Sequence, residues 1–465
     1  MASMQQKMVS TAGAAVAMEE PAVSGQRRFL EALAESLRRR RVRYCVLHDW
    51  EGLPERLGSD LDMAVHPEDL PALGRALGDL RALGFRFVQS LEYAPDAHYL
   101  VFLRTAGETE AARVDVITAH WRKGVLVDTG EAMTARARTH RGFRVPEPAM
   151  EFRYLAAKRV LKEAAPGAKG RRLAELARQL GPAAAREAVA DLFGGAADAV
   201  AEAAAGGTLD EQARELRRKL LWRNALRRPW RTVCFWGRDA ARRLKRWLEP
   251  AGLMVAVAGP DGVGKSTFLE ELAGGIAPAF RRVYRYHWRP GLLGRLRAGA
   301  SPVNPHGAGL DPGWLSVIRL VWVALDYQMG RLQLRWRKAR SGLIVFDRYY
   351  HDILVDPERY RYGGPAWLAR LLARTAPKPD LLLVLDAPEE VIRGRKQELD
   401  AAELKRQLEG YRRLAAEFGG KLVDAGADAE TVAAGGIRCV AGVLERQCRQ
   451  RCPEWARTEG SRANA

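Results

Sequence analysis

The stretch that most restricts the fold of this chain is nine residues long. Gly259-Pro260-Asp261-Gly262-Val263-Gly264-Lys265-Ser266-Thr267 fits the pattern G-x-x-x-x-G-K-[ST] at every defined position. It follows the apolar run Leu253 to Ala258 and precedes a helical pattern from Phe268 to Ala273. A buried strand must therefore pass through a glycine-rich turn straight into a helix. The backbone N–H groups of such a turn converge on phosphate oxygens, and the helix adds the positive end of its dipole. A lysine at position 265 reaches β- and γ-phosphates, while the Ser266 hydroxyl completes a Mg²⁺ shell. The expected ligands are ATP and Mg²⁺, held by Gly259, Asp261, Gly262, Val263, Gly264, Lys265, Ser266 and Thr267. The plainer alternative, a glycine-rich turn without a ligand, leaves Lys-Ser-Thr in register unexplained.

From Gly252 onward, strand patterns at 253–258, 283–287, 343–346, 381–385 and 421–423 alternate with helical ones, which predicts a parallel α/β sheet. Leu343-Ile344-Val345-Phe346 runs into Asp347, the arrangement that sets an acid opposite the phosphate cradle near Mg²⁺. Arg348 follows, and an arginine there can grip a phosphate at two points as a lysine cannot. Asp347-Arg348 alone is a common surface pair; its place at the end of an apolar strand points to function.

Gly259 to Thr267 and Asp347-Arg348-Tyr349 resemble the P-loop and Asp-Arg-Tyr motif of thymidylate kinases, over about Leu253 to Leu444. Pro379 to Pro388 is similar to the strand and turn before that family's lid. The resemblance places Arg393, Arg395 and Lys396 where lid cations close over the transferring phosphoryl. Tyr411 and Val423-Asp424-Ala425 are similar to the last helix and the loop beside the adenine. Trp288-Arg289-Pro290-Gly291 resembles a shortened Arg-Glu-Pro-Gly element, which makes Arg289 a holder of the acceptor's phosphate. The implied reaction moves the ATP γ-phosphoryl to a nucleoside monophosphate or a similar small acceptor. The implied catalytic set is Lys265, Asp347, Arg348, Arg289, Arg393 and Arg395, with Ser266 and Asp347 on the metal. Two departures concern the acceptor: the Glu of Arg-Glu-Pro-Gly is absent, and Tyr350-His351-Asp352-Ile353-Leu354-Val355-Asp356-Pro357 replaces the family's base-reading stretch.

The front of the chain has a different texture. Strand patterns at 41–47, 61–65, 85–88, 98–103 and 113–117 surround a Leu/Ala-rich helix at 70–83. Asp60 and Asp62 stand two apart on a strand and so share a face. Like charges side by side favour a cation between them, and Asp115 supplies a third acid on a later strand. Three carboxylates on adjacent strands suit two-metal nucleotidyl transfer. The pattern resembles the nucleotidyltransferase fold over about Arg41 to Leu180, with Asp60, Asp62 and Asp115 as metal ligands. The Gly-Ser that this fold carries ahead of its acids is replaced by Leu47-His48-Asp49-Trp50. The simpler alternative is an exposed acidic turn.

The chain has 465 residues, which predicts more than one domain, and a net charge of +19. Much of that excess is local: Arg214 to Arg246 holds 13 Lys/Arg against Glu215 and Asp239. Trp222, Trp230, Phe235, Trp236 and Trp247 interleave with these cations. Such a mix suits an anionic membrane surface, a structural arm packed between domains, or nucleic acid, though no nucleic-acid fold signature accompanies it. Five scattered cysteines show no zinc spacing and fit a reducing cytoplasm. No apolar run approaches the ~18 residues of a membrane span. The expected organisation is a disordered tail at 1–26 with no secretory signal, a nucleotidyltransferase-like α+β domain with a helical end at 27–205, a basic aromatic helical linker at 206–250, a P-loop domain with a parallel sheet flanked by helices at 251–452, and a second tail at 453–465. Three functions fit: a small-molecule kinase, a bifunctional nucleotidyltransferase and kinase acting on activated sugars or surface glycans, and a non-catalytic ATP-binding scaffold at the inner membrane face. An oligomer is compatible with each.

Overall fold

The computed structural model describes residues 25–106, 109–162, 168–293, 310–395, 400–452 and 455. It contains two five-stranded sheets. The first is built from β1 (Tyr44–Val46), β2 (Leu61–Val65), β3 (Arg86–Ala94), β4 (Ala97–Arg104) and β5 (Glu110–Ile117), in the order β1-β2-β5-β4-β3. Only β2 and β5 are parallel, which sets Asp62 directly opposite Asp115. Helices α1 (Gly25–Arg39) and α2 (Leu70–Asp79) cover one face. Helix α1 begins inside the stretch expected to be a tail.

Two hairpins, β6 (Ala119–Arg122) with β7 (Val125–Thr129) and β8 (Ala137–His140) with β9 (Phe143–Pro146), flank the short α3 (Gly130–Ala135). The alanine- and leucine-rich stretch then forms α4 (Pro148–Lys162), α5 (Ala168–Phe193), α6 (Ala197–Ala205) and α7 (Leu209–Arg227). Leu-Gly-Pro at 180–182 interrupts α5, where Gly181 takes φ +75°. The basic segment forms two helices broken at Arg228: Pro229 opens α8 (Pro229–Leu248) one residue after α7 ends.

The second sheet is parallel throughout, with β11 (Arg282–His287), β12 (Gly342–Asp347), β10 (Leu253–Ala258), β13 (Leu381–Asp386) and β14 (Lys421–Asp424) side by side in that order. The three central strands are apolar along their length, up to the aspartates that end β12 and β13, because both faces are covered. Leu253, Val255 and Val257 point into one core with α9 (Lys265–Ile276) and α14 (Ala429–Arg451). Met254, Ala256 and Ala258 point into the other, with α10 (Gly313–Ala339), α11 (Ala366–Thr375) and α13 (Ala401–Phe418). The short α12 (Glu389–Arg395) follows β13. Burying each large apolar side chain contributes about 1.5–3 kcal/mol. The period-two alternation therefore fixes the register, since a one-residue slip would exchange the two cores.

The two sheets are joined by buried contacts. Val88, Val101 and Leu103 of the front sheet belong to the same core as β10, α9 and α14. Trp455, inside the stretch expected to be a tail, is buried in the front core beside His98. Gln89 of β3 is buried and donates its amide to Ala251 O at 2.9 Å and to the Ser341 hydroxyl at 3.2 Å. Removing that donor strands buried acceptors. Gln89→Ala should therefore lower stability by about 1–3 kcal/mol in urea unfolding followed by tryptophan fluorescence. An unchanged midpoint would show that the joint does not depend on this amide.

Candidate active site

The glycine-rich turn sits at the C-terminal end of the central strand β10, where a parallel sheet opens its ligand crevice. Two glycines make the turn possible. Gly264 has φ +100° and leads into α9. Gly259 has φ +150°, and a Cβ there would lie 3.0 Å from Leu385 O and 3.2 Å from Val263 Cγ1. Side chains at either position would strain the turn or displace β13. Ser266 and Thr267, in the first turn of α9, are exposed.

Lys265 folds back over its own loop. Its Nζ donates to Gly259 O at 2.9 Å and Pro260 O at 2.7 Å, and lies 3.4 Å from Asp261 Oδ1. The ammonium is buried, and that burial, followed by the nearby Arg348 charge, pushes its pKa down to about 7. Asp261 also accepts from the guanidinium groups of Arg348 and Arg359. Arg348 donates further to Asp352 at 3.2 Å, and Arg359 Nε to Asp356 at 3.4 Å. One pit thus gathers three cations around Asp261, backed by two buried acids. Burial pushes the Asp352 carboxyl up to about 6, against the pull of Arg348 and Lys265.

Asp347 ends β12 beside the cradle, since Arg348 N donates to Val257 O at 2.9 Å. One Asp347 oxygen lies 3.3 Å from His287 Nδ1. The other, Oδ1, is buried and has no hydrogen-bond partner among the described residues. Burial works against its charge, but His287, Lys265 and Arg348 hold this carboxyl below the usual range. An orphaned acid oxygen near an exposed serine on a phosphate cradle is a donor set that fits Mg²⁺ carried by a nucleotide.

Arg289 follows β11 with Nη1 3.6 Å from Asp326, which is fully buried on α10 and accepts from Gly291 N at 2.7 Å and Leu293 N at 2.8 Å. Trp288 stacks on Tyr360 with ring centroids 4.4 Å apart. The expected lid cations divide. Arg395 is tied down, donating to Ala425 O at 2.9 Å and to Val263 O at 3.3 Å in the cradle itself. Arg393 is exposed, 3.8 Å from Glu389, and Lys396 lies outside the described residues. Asp261 as a hub, Asp352, Asp356, Arg359 and Asp326 were not identified from sequence as parts of the site. The four-residue spacing of Arg348, Asp352 and Asp356 was the available signal.

In the front sheet the expected acid triad is a pair. Asp62 and Asp115 face each other across β2 and β5, while Asp60 precedes the strand. Among the described residues no group of three or more His, Cys, Asp or Glu side chains is arranged to hold a metal ion. The third partner is cationic: Lys158 Nζ lies 3.5 Å from Asp62 and 2.9 Å from His48 Nε2, and His48 itself contacts Asp62. Tyr93 donates to Asp115 at 2.8–2.9 Å. Burial opposes the Asp62 charge, but His48 and Lys158 hold that carboxyl well below the usual range. Burial and then the Asp62 charge push Asp115 up to about 8.

No family model matches the chain. Curated relatives do. The thymidylate kinase of Xanthomonas campestris pv. campestris (strain B100) is 32% identical over 203 residues, covering 40% of this chain and 81% of that protein. The thymidylate kinases of Xanthomonas euvesicatoria pv. vesicatoria (strain 85-10) and Xanthomonas oryzae pv. oryzae (strain PXO99A) are each 31% identical over the same length. With four-fifths of such a relative matched, and a glycine-rich cradle on a five-stranded parallel sheet, the chain belongs to the thymidylate kinase family.

Proposed function

We propose that the C-terminal sheet carries an ATP-dependent kinase that phosphorylates a nucleoside monophosphate. The observation that carries this reading is the convergence of Lys265, Arg348 and the orphaned Asp347 oxygen on one glycine-rich turn. In this reading the turn's N–H groups and Lys265 hold the donor phosphates, and Arg348 steadies the phosphoryl in transfer. Ser266 and Asp347 would hold Mg²⁺, which neutralises charge on phosphate oxygens. Arg289, oriented by Asp326, would hold the acceptor's phosphate, and the Trp288–Tyr360 stack supplies an aromatic wall nearby. Thymidylate is the first acceptor to try because the relatives carry that name. The altered stretch 350–357 makes other monophosphates and sugar phosphates the next ones.

An ATP-consumption screen over those acceptors tests the reading. Lys265→Ala should reduce turnover about 10²–10³-fold, as should Asp347→Asn. A chain that binds ATP equally well in both forms and turns over with no acceptor is a scaffold instead.

The depressed Lys265 pKa makes a second prediction. A polyphosphate favours the ammonium form, so ATP binding above pH 7 must take up a proton. Calorimetry at pH 8 in buffers of different ionisation enthalpy should show uptake approaching one proton, falling toward zero at pH 6. Equal values at both pH values remove the buried, half-neutral lysine from the account.

For the front sheet, a nucleotidyltransferase-type centre finds support in the Asp62–Asp115 pair on parallel strands. Lys158 and His48 at Asp62 favour a binding centre with one proton shared by two acids over a two-metal site. The raised Asp115 carboxyl contributes stability below its ordinary range that is lost as pH rises through about 8. The parent should therefore lose stability relative to Asp115→Asn by about 1.4 kcal/mol per pH unit between roughly pH 4 and pH 8 in urea titrations, with no further change above pH 8. Parallel pH profiles for the two proteins would mean that Asp115 is ionised in the fold.

A further inference from the structure

Helix α8 is built inside out. A surface helix normally buries its apolar stripe and gives its charges to water. Here the side that packs on the protein carries Phe235, Asp239 and Arg242, all buried. Arg242 Nε donates to Asp239 at 3.0 Å and Nη1 to Glu92 O at 2.9 Å, and Phe235 stacks on Trp121. The opposite side presents Trp230, Val233, Gly237, Ala241, Leu244 and Leu248, spaced by three or four residues and therefore in one line. Trp230 is 75% exposed, Leu244 59% and Leu248 61%. Trp247, near Trp336 of α10, continues the apolar surface at the helix end.

The surroundings of that stripe select its partner. Arg231, Arg238 and Lys245 run along one edge at helical spacing, and Arg243 lies on the other. A second copy would press two cationic rims together in a chain of net charge +19. An anionic bilayer offers both an apolar layer and headgroup charge.

A second feature lies at the start of the helix. A cleft of about 440 Å³ opens between β7, α5 and α7 and is lined by Arg153, Arg223, Arg227 and Arg228, the last two residues before Pro229. Asp128 and Asp191 neutralise Arg153. Among the described residues, the Arg227 and Arg228 guanidinium groups make no ion pair or hydrogen bond. Such a cleft suits a phosphate-bearing ligand.

We propose that α8 lies on an anionic lipid bilayer through its Trp230–Leu248 stripe, with the arginine cleft at its N-terminal corner receiving a lipid phosphate. This is independent of the kinase reading. Flotation of the full chain tests it, using vesicles of phosphatidylcholine alone and of phosphatidylcholine mixed with phosphatidylglycerol. Recovery should occur with the mixed vesicles at low salt, fall at high salt, and be absent with phosphatidylcholine alone. Leu244→Glu with Leu248→Glu should abolish recovery, while melting and ATP turnover stay at parent values. Arg227→Ala with Arg228→Ala should weaken vesicle affinity roughly ten- to thirty-fold. No recovery on anionic vesicles overturns the proposal. So does a dimer, seen by sedimentation, that the Leu244/Leu248 variant dissociates while vesicles capture neither protein. Inorganic phosphate bound through Arg227 and Arg228 without vesicle capture would also overturn it, leaving a soluble phosphate site.

Discussion

The C-terminal site depends on one carboxylate. Asp261 stands inside the glycine-rich turn and meets Lys265, Arg348 and Arg359 at once. Three cations in a buried pit repel one another, and in low dielectric that repulsion is severe unless fixed anions stand between them. Asp261 supplies the nearest, with Asp352 and Asp356 behind Arg348 and Arg359. In the proposed reading, an arriving polyphosphate would meet cations already assembled and would replace contacts that the loop makes to itself. Lys265 registers the balance: among the described residues it is held by two carbonyls and a shared acid, and burial pushes its pKa down to about 7. A site of this kind is organised before its ligand comes, which is where electrostatic stabilisation is most effective.

The scaffold around the pit is correspondingly over-determined. Leu385 of β13 closes against Gly259, and Arg395 fastens Val263 to the turn after β14. The same face of the sheet is packed by α9 and α14, and the front sheet adds Val88, Val101 and Leu103 to that core. The two sheets therefore do not behave as beads on a linker. The segment between them, α7 and α8, runs along the outside, and the chain's last described residue, Trp455, returns to the front core. Loosening Gln89 or Trp455 would be felt at the cradle's supporting face, though neither residue is near a phosphate contact.

What could be read from sequence followed local rules. Strands β10, β12 and β13 were legible because burial on both faces demands unbroken apolar runs, and the cradle was legible because its glycines, lysine and serine must be contiguous. Asp62 and Asp115 were both legible as strand acids, but their direct pairing comes from the parallel register of β2 and β5. The parts that escaped are those made by distant segments. Lys158 reaches Asp62 from α4, Tyr93 reaches Asp115 from β3, and Asp326 orders the loop after Trp288 from the middle of α10. Asp60, expected beside Asp62, precedes the strand, and Lys158 and His48 contact Asp62 instead, an exchange that no spacing rule reports. Arg395 was expected to move with a lid; its hydrogen bonds to Val263 and Ala425 carbonyls anchor it instead.

The basic segment shows most clearly why composition and placement carry different information. Thirteen cations with interleaved aromatics are compatible with a membrane helix, an interdomain strut or, with no fold signature to support it, a nucleic-acid arm, because all three need the same residue types. The alternatives differ in which face the fold keeps. A strut would bury Trp230, Leu244 and Leu248 and leave arginines to solvent. In the structure Arg242 is buried against Asp239 while those apolar residues are exposed, so packing the helix that way requires ionic contacts on the inside and leaves the hydrophobic gain unrealised. Reversing α8 would recover that gain within the chain itself. In the proposal above, the compensating free energy would come from the bilayer, whose apolar core and anionic headgroups match the stripe and its cationic rims.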